Sequence, residues 1–298
     1  MTSAPTYGLL GVDVDGTLVW DGSLAAADAD ALRAAARAGL AVCVCTGRAW
    51  NEVKDLWQAL DLPAPHAPVV CVGGALVVEA ATGRSLYSRT LDLACADELA
   101  RALAEYDLPV MALVDAWREG FDYYMIGDPG NRPMYRRFFA SRPSRIRPAE
   151  RLDGPDRARP LRISVLTDAA QADEMVASLR QRLAGRIEVQ AIHLRTTGVH
   201  IVEAFAAGAN KFTALRYVGQ GLRVGPARMA AIGDDHNDLP MLQRVGFSAA
   251  PADAPPELRQ AATVTVAARG QKPVAQFVDL VLNARPAPDA DTESTPDT

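Results

Sequence analysis

The residues from Leu9 to Val12 are apolar or glycine, and the run stops at Asp13, Val14, Asp15, Gly16 and Thr17. A continuous apolar stretch of strand length that breaks into a glycine-containing turn predicts a buried β-strand. Ser23 is placed to cap a helix running to about Ala38, carried by alanine-rich periodicity and stopped by Gly39. Leu40 to Cys45 predicts a second strand, followed by Thr46, Gly47 and Arg48. A helix from about Trp50 to Leu60 ends at the Pro63/Pro65 turn. Val69 to Val72 predicts a third buried strand, then Gly73, Gly74 and a short strand to Glu79. Strands alternating with helices in this way predict a parallel sheet with right-handed crossovers.

The pattern then changes. Strands are expected at Leu86 to Leu91 and Val110 to Val114, with an amphipathic helix between them from about Ala94 to Tyr106. A strand at Asp122 to Ile126 precedes a Pro- and Arg-rich stretch to Pro160, which holds a helix near Met134 to Ala140. Leu161 to Leu166, Ile187 to His193 and Val199 to Val202 read as strands, and Ala170 to Leu183 as a helix. From about Asn210 the first pattern resumes. A helix at Lys211 to Val218 leads to a buried strand at Met229 to Ile232, ending in Gly233 and Asp234. Helix Leu239 to Val245, strand Gly246 to Ala249, a capped segment around Pro255 to Ala262 and helix Pro273 to Leu282 complete it. The expected fold is therefore α/β, a Rossmann-like parallel-sheet core with an inserted α+β domain. Residues 1–80 and 198–283 form the core, 81–197 the insert, and 284–298 a Pro-, Asp- and Thr-rich tail expected to be disordered.

Composition narrows the classes. The 298 residues are 49% hydrophobic and 22% charged, enough to bury a sizeable core. The net charge is −5, of which the stretch from Arg285 to Thr298 carries −3, so the rest gives no electrostatic basis for binding nucleic acid. The first residues lack a basic region and the acids at 13 and 15 cut the apolar run short, so no signal peptide is expected. The longest uncharged apolar run, Val69 to Val78, is about half of the ~20 residues that a membrane span needs. Cys43, Cys45, Cys71 and Cys95 form no disulfide framework, and Cys43 and Cys45 alternate with valines as reduced core residues do. A cytoplasmic protein is expected, monomeric or homodimeric. Between Asp128 and Arg159 there are nine arginines against four acids, read as a solvated basic surface or, alternatively, as an attractor of anionic substrates.

Three strand ends present polar clusters: Asp13/Asp15, Thr46/Gly47/Arg48, and GDDHNDLPML from Gly233 to Leu242. In an open parallel sheet such ends gather where ligands bind. If the extended backbone continues past Asp13, the two carboxylates at 13 and 15 point to one side. At ~4 Å and an effective dielectric of ~20 they would repel by about 4 kcal/mol, so a cation is expected beside them. A single Asp before a helix is often only a cap, but Asp234, Asp235 and Asp238 together exceed what capping needs. Oxygen ligands without His or Cys suit Mg²⁺. Thr46 and Gly47 offer a hydroxyl and backbone N–H groups to an anion. Lys211 is one of three lysines in a chain with 28 arginines, so a lysine there suits a point charge facing phosphate.

DVDGTL, CTGR, Lys211 and GDDHNDLPML, in that order, resemble the four motifs of the haloacid-dehalogenase-like phosphatases. The branch resembled is the Cof-like one (type IIB), with a large α/β cap between the second and third motifs. The resemblance implies that Asp13 is the nucleophile, forming an aspartyl-phosphate, and that Asp15 is the general acid and base. It implies Mg²⁺ held by the Asp13 carboxylate, the Asp15 backbone carbonyl and Asp234, with Asp238 a further ligand or anchor. Thr46, Gly47, Lys211 and Asn237 form the implied substrate-binding set. The branch usually has Asn-Gly-Ala where this chain has Gly73-Gly74-Ala75, and Asn where it has Asp253, which puts one substrate contact in question. His236 reads as a loop residue, His193 and His200 as structural, and Arg48 as a brace for the sheet edge.

The implied activity is Mg²⁺-dependent hydrolysis of a small phosphorylated metabolite, a sugar phosphate or a phosphorylated cofactor. Two alternatives share the chemistry: a sugar phosphomutase, and a phospho-acceptor signalling domain without turnover. Asp15 argues against the latter, because an acid/base beside the nucleophile favours turnover over storage.

Overall fold

The computed structural model describes residues 6–130, 132–140, 142, 144–154, 156–194 and 198–284; the tail expected to be disordered lies outside the described residues. In chain order the elements begin with β1 (Leu9–Asp13), β2 (Val19–Trp20), β3 (Ser23–Leu24), α1 (Ala26–Arg37), β4 (Ala41–Cys45), α2 (Trp50–Ala59), β5 (Val69–Cys71), β6 (Leu76–Val78) and β7 (Ser85–Ser88). Next come α3 (Leu93–Ala104), β8 (Val110–Leu113), α4 (Ala116–Glu119), β9 (Tyr123–Ile126), α5 (Pro133–Ala140), β10 (Ile146–Ala149), β11 (Arg162–Thr167), α6 (Ala169–Arg182), β12 (Ile187–Leu194) and β13 (Val199–Ala206). The last are α7 (Lys211–Leu222), β14 (Met229–Ile232), α8 (Leu239–Leu242), β15 (Phe247–Pro251), α9 (Pro256–Ala261), β16 (Val264–Val266) and α10 (Pro273–Asn283).

The chain forms two compact units, one of residues 1–43, 60–66 and 219–298, the other of residues 44–59 and 67–218. In the first unit the strands run in the order β16-β15-β14-β1, followed by the opening residues of β4. β1, β14, β15 and β16 pair in parallel, with Val12 opposite Ile232. Every residue of β1 and β14 is buried, which is why both read as uninterrupted apolar runs and not as alternating ones. α1 packs against α10, where the Asp28 carboxylate accepts a hydrogen bond from the Ala275 N–H at 2.8 Å.

Ser23 is not a cap, contrary to the expectation. It belongs to β3, and the N-cap of α1 is Ala25, with no side-chain capping bond. β2 and β3 form a hairpin across Asp21 and Gly22, both at positive φ, the turn that an Asp-Gly pair favours. The helix expected at Leu239 to Val245 is one turn ending at Leu242, preceded by a 3₁₀ turn at His236–Asp238.

In the second unit Cys45 of β4 pairs in parallel with Val70 of β5, but β6 and β7 are antiparallel additions. β6 cannot run parallel to β5, because only the 3₁₀ turn Val72–Gly74 separates them, too short for a crossover. A second sheet has the order β10-β9-β8-β11-β13-β12, antiparallel except for the β9/β10 pair. β10, β16 and α4 lack any sequence signal read above. One face of this sheet, with Ala112, Ile163, Val165, Val202 and Ala204, joins a core with Leu99 and Leu103 of α3 and Met175 and Leu179 of α6. Strand alternation puts Arg162 and Ser164 of β11 and Glu203 and Phe205 of β13 on the other face.

Candidate active site

β1 delivers Asp13 at its C-terminal end, and β14, beside it, delivers Gly233 and Asp234. Extended backbone stops at Asp13. The Val14 carbonyl accepts hydrogen bonds from the N–H groups of Leu18 (3.0 Å) and Val19 (2.8 Å), which turns the chain sharply. Asp13 is buried and Asp15 exposed, and the strand ends before 15, so the extended backbone on which a shared side depended is not present.

Asp13, Asp234 and Asp238 are all buried, and each offers a carboxylate oxygen within 4.8 Å of the other two. The Asp238 carboxylate is held by the N–H groups of Asp234 (3.1 Å) and Asp235 (3.2 Å). Asp234 accepts from the Thr17 hydroxyl at 2.8 Å through Oδ1, and from Arg269 Nε at 2.9 Å through Oδ2. Arg269 Nη2 also reaches the Asp234 carbonyl at 3.1 Å, while Nη1 binds the Asp253 carbonyl at 3.0 Å. A Cβ at Gly16 would stand 2.2 Å from Asp234 Oδ2, so the glycine of DVDGTL is required by the close approach of that carboxylate. Each carboxylate pair at this spacing repels by roughly 3 kcal/mol at an effective dielectric of ~20. Arg269 offsets one charge. An oxygen-only, buried and net-anionic cluster is a donor set that fits Mg²⁺. Asp15, expected to contribute through its backbone carbonyl, has its carboxylate outside this cluster.

The second unit holds Thr46, Gly47 and Lys211, while Asn237 belongs to the first. Thr46 is buried just past β4; its N–H donates to the Val70 carbonyl (2.9 Å) and its carbonyl accepts from Gly73 N–H (3.0 Å). Its hydroxyl accepts from Arg48 N–H at 3.1 Å, and the Arg48 carbonyl accepts from Val72 N–H at 2.9 Å, so the Arg48 backbone ties this loop to the strand edge. The Gly47 carbonyl accepts from Arg162 Nη1 at 3.2 Å. Lys211 is fully buried at the first position of α7, where Asn210 Oδ1 accepts from Thr213 N–H at 3.0 Å. A Cβ at Gly74 would stand 2.1 Å from the Asn210 carbonyl and 2.7 Å from Lys211 N, so the backbone at 74 must be glycine for α7 to start there. At Gly73, where the family usually has Asn, a Cβ would come within 3.3 Å of the Phe205 ring, which fills the space beside it.

Arg162 and Glu203 form a buried ion pair at 2.5 Å, and Gln190 Nε2 donates to the other Glu203 oxygen at 3.3 Å. Burial pushes the Glu203 carboxyl above its usual range, against the pull of the Arg162 guanidinium and, more weakly, of the Lys211 ammonium. Asn237 is half-buried in the 3₁₀ turn. His236 is exposed, its ring between Asp235 (3.1 Å) and Glu257 (2.5 Å). His193 and His200 are a cross-strand pair on β12 and β13, ring centroids 4.9 Å apart. Of the basic segment, Arg132, Arg142, Arg145 and Arg151 are in ion pairs with Asp107, Glu52, Asp122 and Asp97.

Sequence reasoning missed Arg269, Arg162 and Glu203, none of which lies in a motif. Thr17 sits inside DVDGTL, and its hydroxyl beside the strand end was the available signal.

Strand order, a buried carboxylate trio at adjacent strand ends and a buried lysine opening a later helix define a class, and the comparisons with known proteins agree with it. The family model for haloacid dehalogenase-like hydrolases matches residues 10–278, and the chain belongs to this family, in its Cof-like part. It is a phosphatase. It is 24% identical over 297 residues to the 5-amino-6-(5-phospho-D-ribitylamino)uracil phosphatase YwtE of Bacillus subtilis, covering 93% of this chain and 98% of that one. Among solved structures, a haloacid dehalogenase-like hydrolase from Bacteroides thetaiotaomicron shares the fold at a TM-score of 0.74 and 19% identity, covering 92% of this chain and 99% of that one. A HAD/COF-like hydrolase from Plasmodium vivax does so at 0.76 and 20%, covering 93% and 96%.

Proposed function

We propose that this phosphatase hydrolyses a small phosphorylated metabolite, a sugar phosphate or a phosphorylated cofactor, in a Mg²⁺-dependent reaction through an aspartyl-phosphate. The observation that carries the reading is the buried trio Asp13, Asp234 and Asp238 at adjacent strand ends, with Asp13 closing β1. An Asp13 oxygen attacks phosphorus in line, and the bond from phosphorus to the leaving oxygen breaks. Asp15 gives that oxygen a proton; it then takes a proton from the water that attacks the phosphorus of the acyl phosphate, which frees Asp13 and releases phosphate. Thr46 and Gly47 hold phosphoryl oxygens, Lys211 neutralises charge on nucleophile and phosphate, and Asn237 contacts substrate. Asp13, the Asp15 carbonyl and Asp234 would hold the metal, with Asp238 as a further ligand or an anchor. When bound, Mg²⁺ offsets the charge of nucleophile and phosphoryl group and fixes their alignment.

Residues 81–197 act as the cap that sets specificity, and residues 1–80 and 198–283 as the catalytic core. The four cysteines are buried and in no disulfide, which suits a reducing cytoplasm. The relative named above acts on a phosphorylated ribityl-pyrimidine, which therefore belongs in the substrate panel beside sugar phosphates and phosphorylated cofactors.

The test is phosphate release from that panel, ranked by kcat/KM, with Mg²⁺ and with EDTA, for the wild type and Asp13→Asn. Metal-dependent turnover that Asp13→Asn abolishes is expected. Stoichiometric labelling without turnover, or an active Asp13→Asn, would remove the proposal.

A further inference from the structure

A buried ion pair on the second sheet stands against the loop read above as the phosphoryl cradle. Arg162 of β11 and Glu203 of β13 are both buried, and one guanidinium nitrogen, Nη1, serves Glu203 Oε1 at 2.5 Å and the Gly47 carbonyl at 3.2 Å. That carbonyl belongs to the peptide joining Gly47 to Arg48. The N–H of the same peptide donates to the Thr46 hydroxyl oxygen at 3.1 Å. One peptide plane is thus held at its oxygen by Arg162 and at its nitrogen by Thr46. A hydroxyl that accepts from this N–H keeps its own proton as a donor. Fixing the peptide therefore fixes the hydroxyl.

A buried Arg–Glu pair is weak evidence for stability, because desolvation cancels much of the attraction and apolar replacement of both partners is often neutral. Its contact with the carbonyl of Gly47 needs another explanation. We propose that Arg162 and Glu203 are positioning residues for the hydrolysis: Arg162 orients the Thr46 hydroxyl through the Gly47–Arg48 peptide, and Glu203 holds Arg162 in place. The proposal rests on the reading that Thr46 binds the phosphoryl group. Neither Arg162 nor Glu203 touches substrate.

The experiment is a cycle on the full-length enzyme, using p-nitrophenyl phosphate as substrate and inorganic phosphate as competing ligand. The variants are Thr46→Val, the paired Arg162→Met/Glu203→Met, and all three changes together. Losing one preorganised donor predicts about a 100-fold fall in kcat for Thr46→Val. Misplacing that donor predicts a fall of roughly ten-fold or more for the paired variant, with weaker inhibition by phosphate and native-like thermal unfolding. In the Thr46→Val background the paired change is expected to cost less than about two-fold, because the group it positions is gone. Arg162→Lys keeps the charge but not the fork, so it is expected to restore less than half of the lost kcat.

Wild-type kcat and phosphate inhibition in a folded paired variant would overturn the proposal, as would full additivity in the cycle. A paired variant that fails to fold leaves Arg162→Lys and Glu203→Gln, both conservative in size, to decide it by the same two readouts. Thr46→Val with wild-type kinetics would strike the underlying cradle reading instead, and the proposal with it.

Discussion

Replacing Arg269 by Met keeps most of the side-chain stem and removes the guanidinium. In the folded protein that group donates to Asp234 Oδ2 at 2.9 Å, to the Asp234 carbonyl at 3.1 Å and to the Asp253 carbonyl at 3.0 Å. Arg269 and Asp234 side chains are 9% and 4% exposed, so little solvent screens the pair. Removing one member of a buried pair costs about 3 kcal/mol or more, since the other charge stays buried. Here the residual charge also faces Asp13 and Asp238 within 4.8 Å. For a domain of this size ~3 kcal/mol lowers Tm by about 6 °C or more. Saturating Mg²⁺ supplies the missing countercharge. A ligand at about 100 times its Kd stabilises a native state by ~2.7 kcal/mol, and the variant has more to gain than the wild type. Thermal unfolding followed by circular dichroism, in EDTA and in excess Mg²⁺, is therefore expected to show a gap between wild type and Arg269→Met that narrows with metal. A gap of the same width in both buffers would refute the reasoning, because the guanidinium would then matter only for packing.

Asp13→Asn is expected to abolish phosphate release while the far-UV spectrum stays unchanged; detectable turnover under metal saturation would count against Asp13 as the nucleophile. Gly74→Ala should be much costlier than Gly39→Ala. Both glycines have φ near +95 to +99, but a Cβ at 39 meets nothing within 4 Å, whereas one at 74 stands 2.1 Å from the Asn210 carbonyl. Backbone strain alone costs about 1 kcal/mol, so equal losses in urea unfolding would show that the contact at Asn210 relaxes freely. Burial holds the Asp28 carboxyl above its usual range, against the Ala275 N–H and Lys272. A raised acid contributes its stability below its unfolded value of about 3.9 and loses it as pH rises through the folded one. Asp28→Asn should therefore gain on the wild type as pH rises above about 4, and a stability difference that does not move with pH would contradict this.

The buried parallel strands were legible because burial makes an apolar run, and β1, β4, β5 and β14 all carry one. The order DVDGTL, CTGR, Lys211, GDDHNDLPML carried the family. Partners of those residues were not legible. Asp253 stood out only as a departure from Asn, and nothing local said that it shares Arg269 with Asp234, which lies 35 positions from that arginine. Gly73 looked like a lost amide, but Phe205 fills the space beside it. Ser23 looked like a cap because a short hairpin and a helix start share the same polar residues, and the Asp-Gly turn decided for the hairpin.

Apolar runs, glycine turns and the spacing of acids are local, so they can be read along the chain, and they specify the buried strands and single out the candidate residues for phosphoryl chemistry. The meeting of three carboxylates within 4.8 Å depends instead on which strand ends up beside β1, and the link from Arg162 to Gly47 spans 115 positions. Charges and hydrogen bonds act through space with no trace in a linear pattern, and for that reason the countercharge at Asp234 and the brace on the Thr46 loop emerge only from tertiary structure.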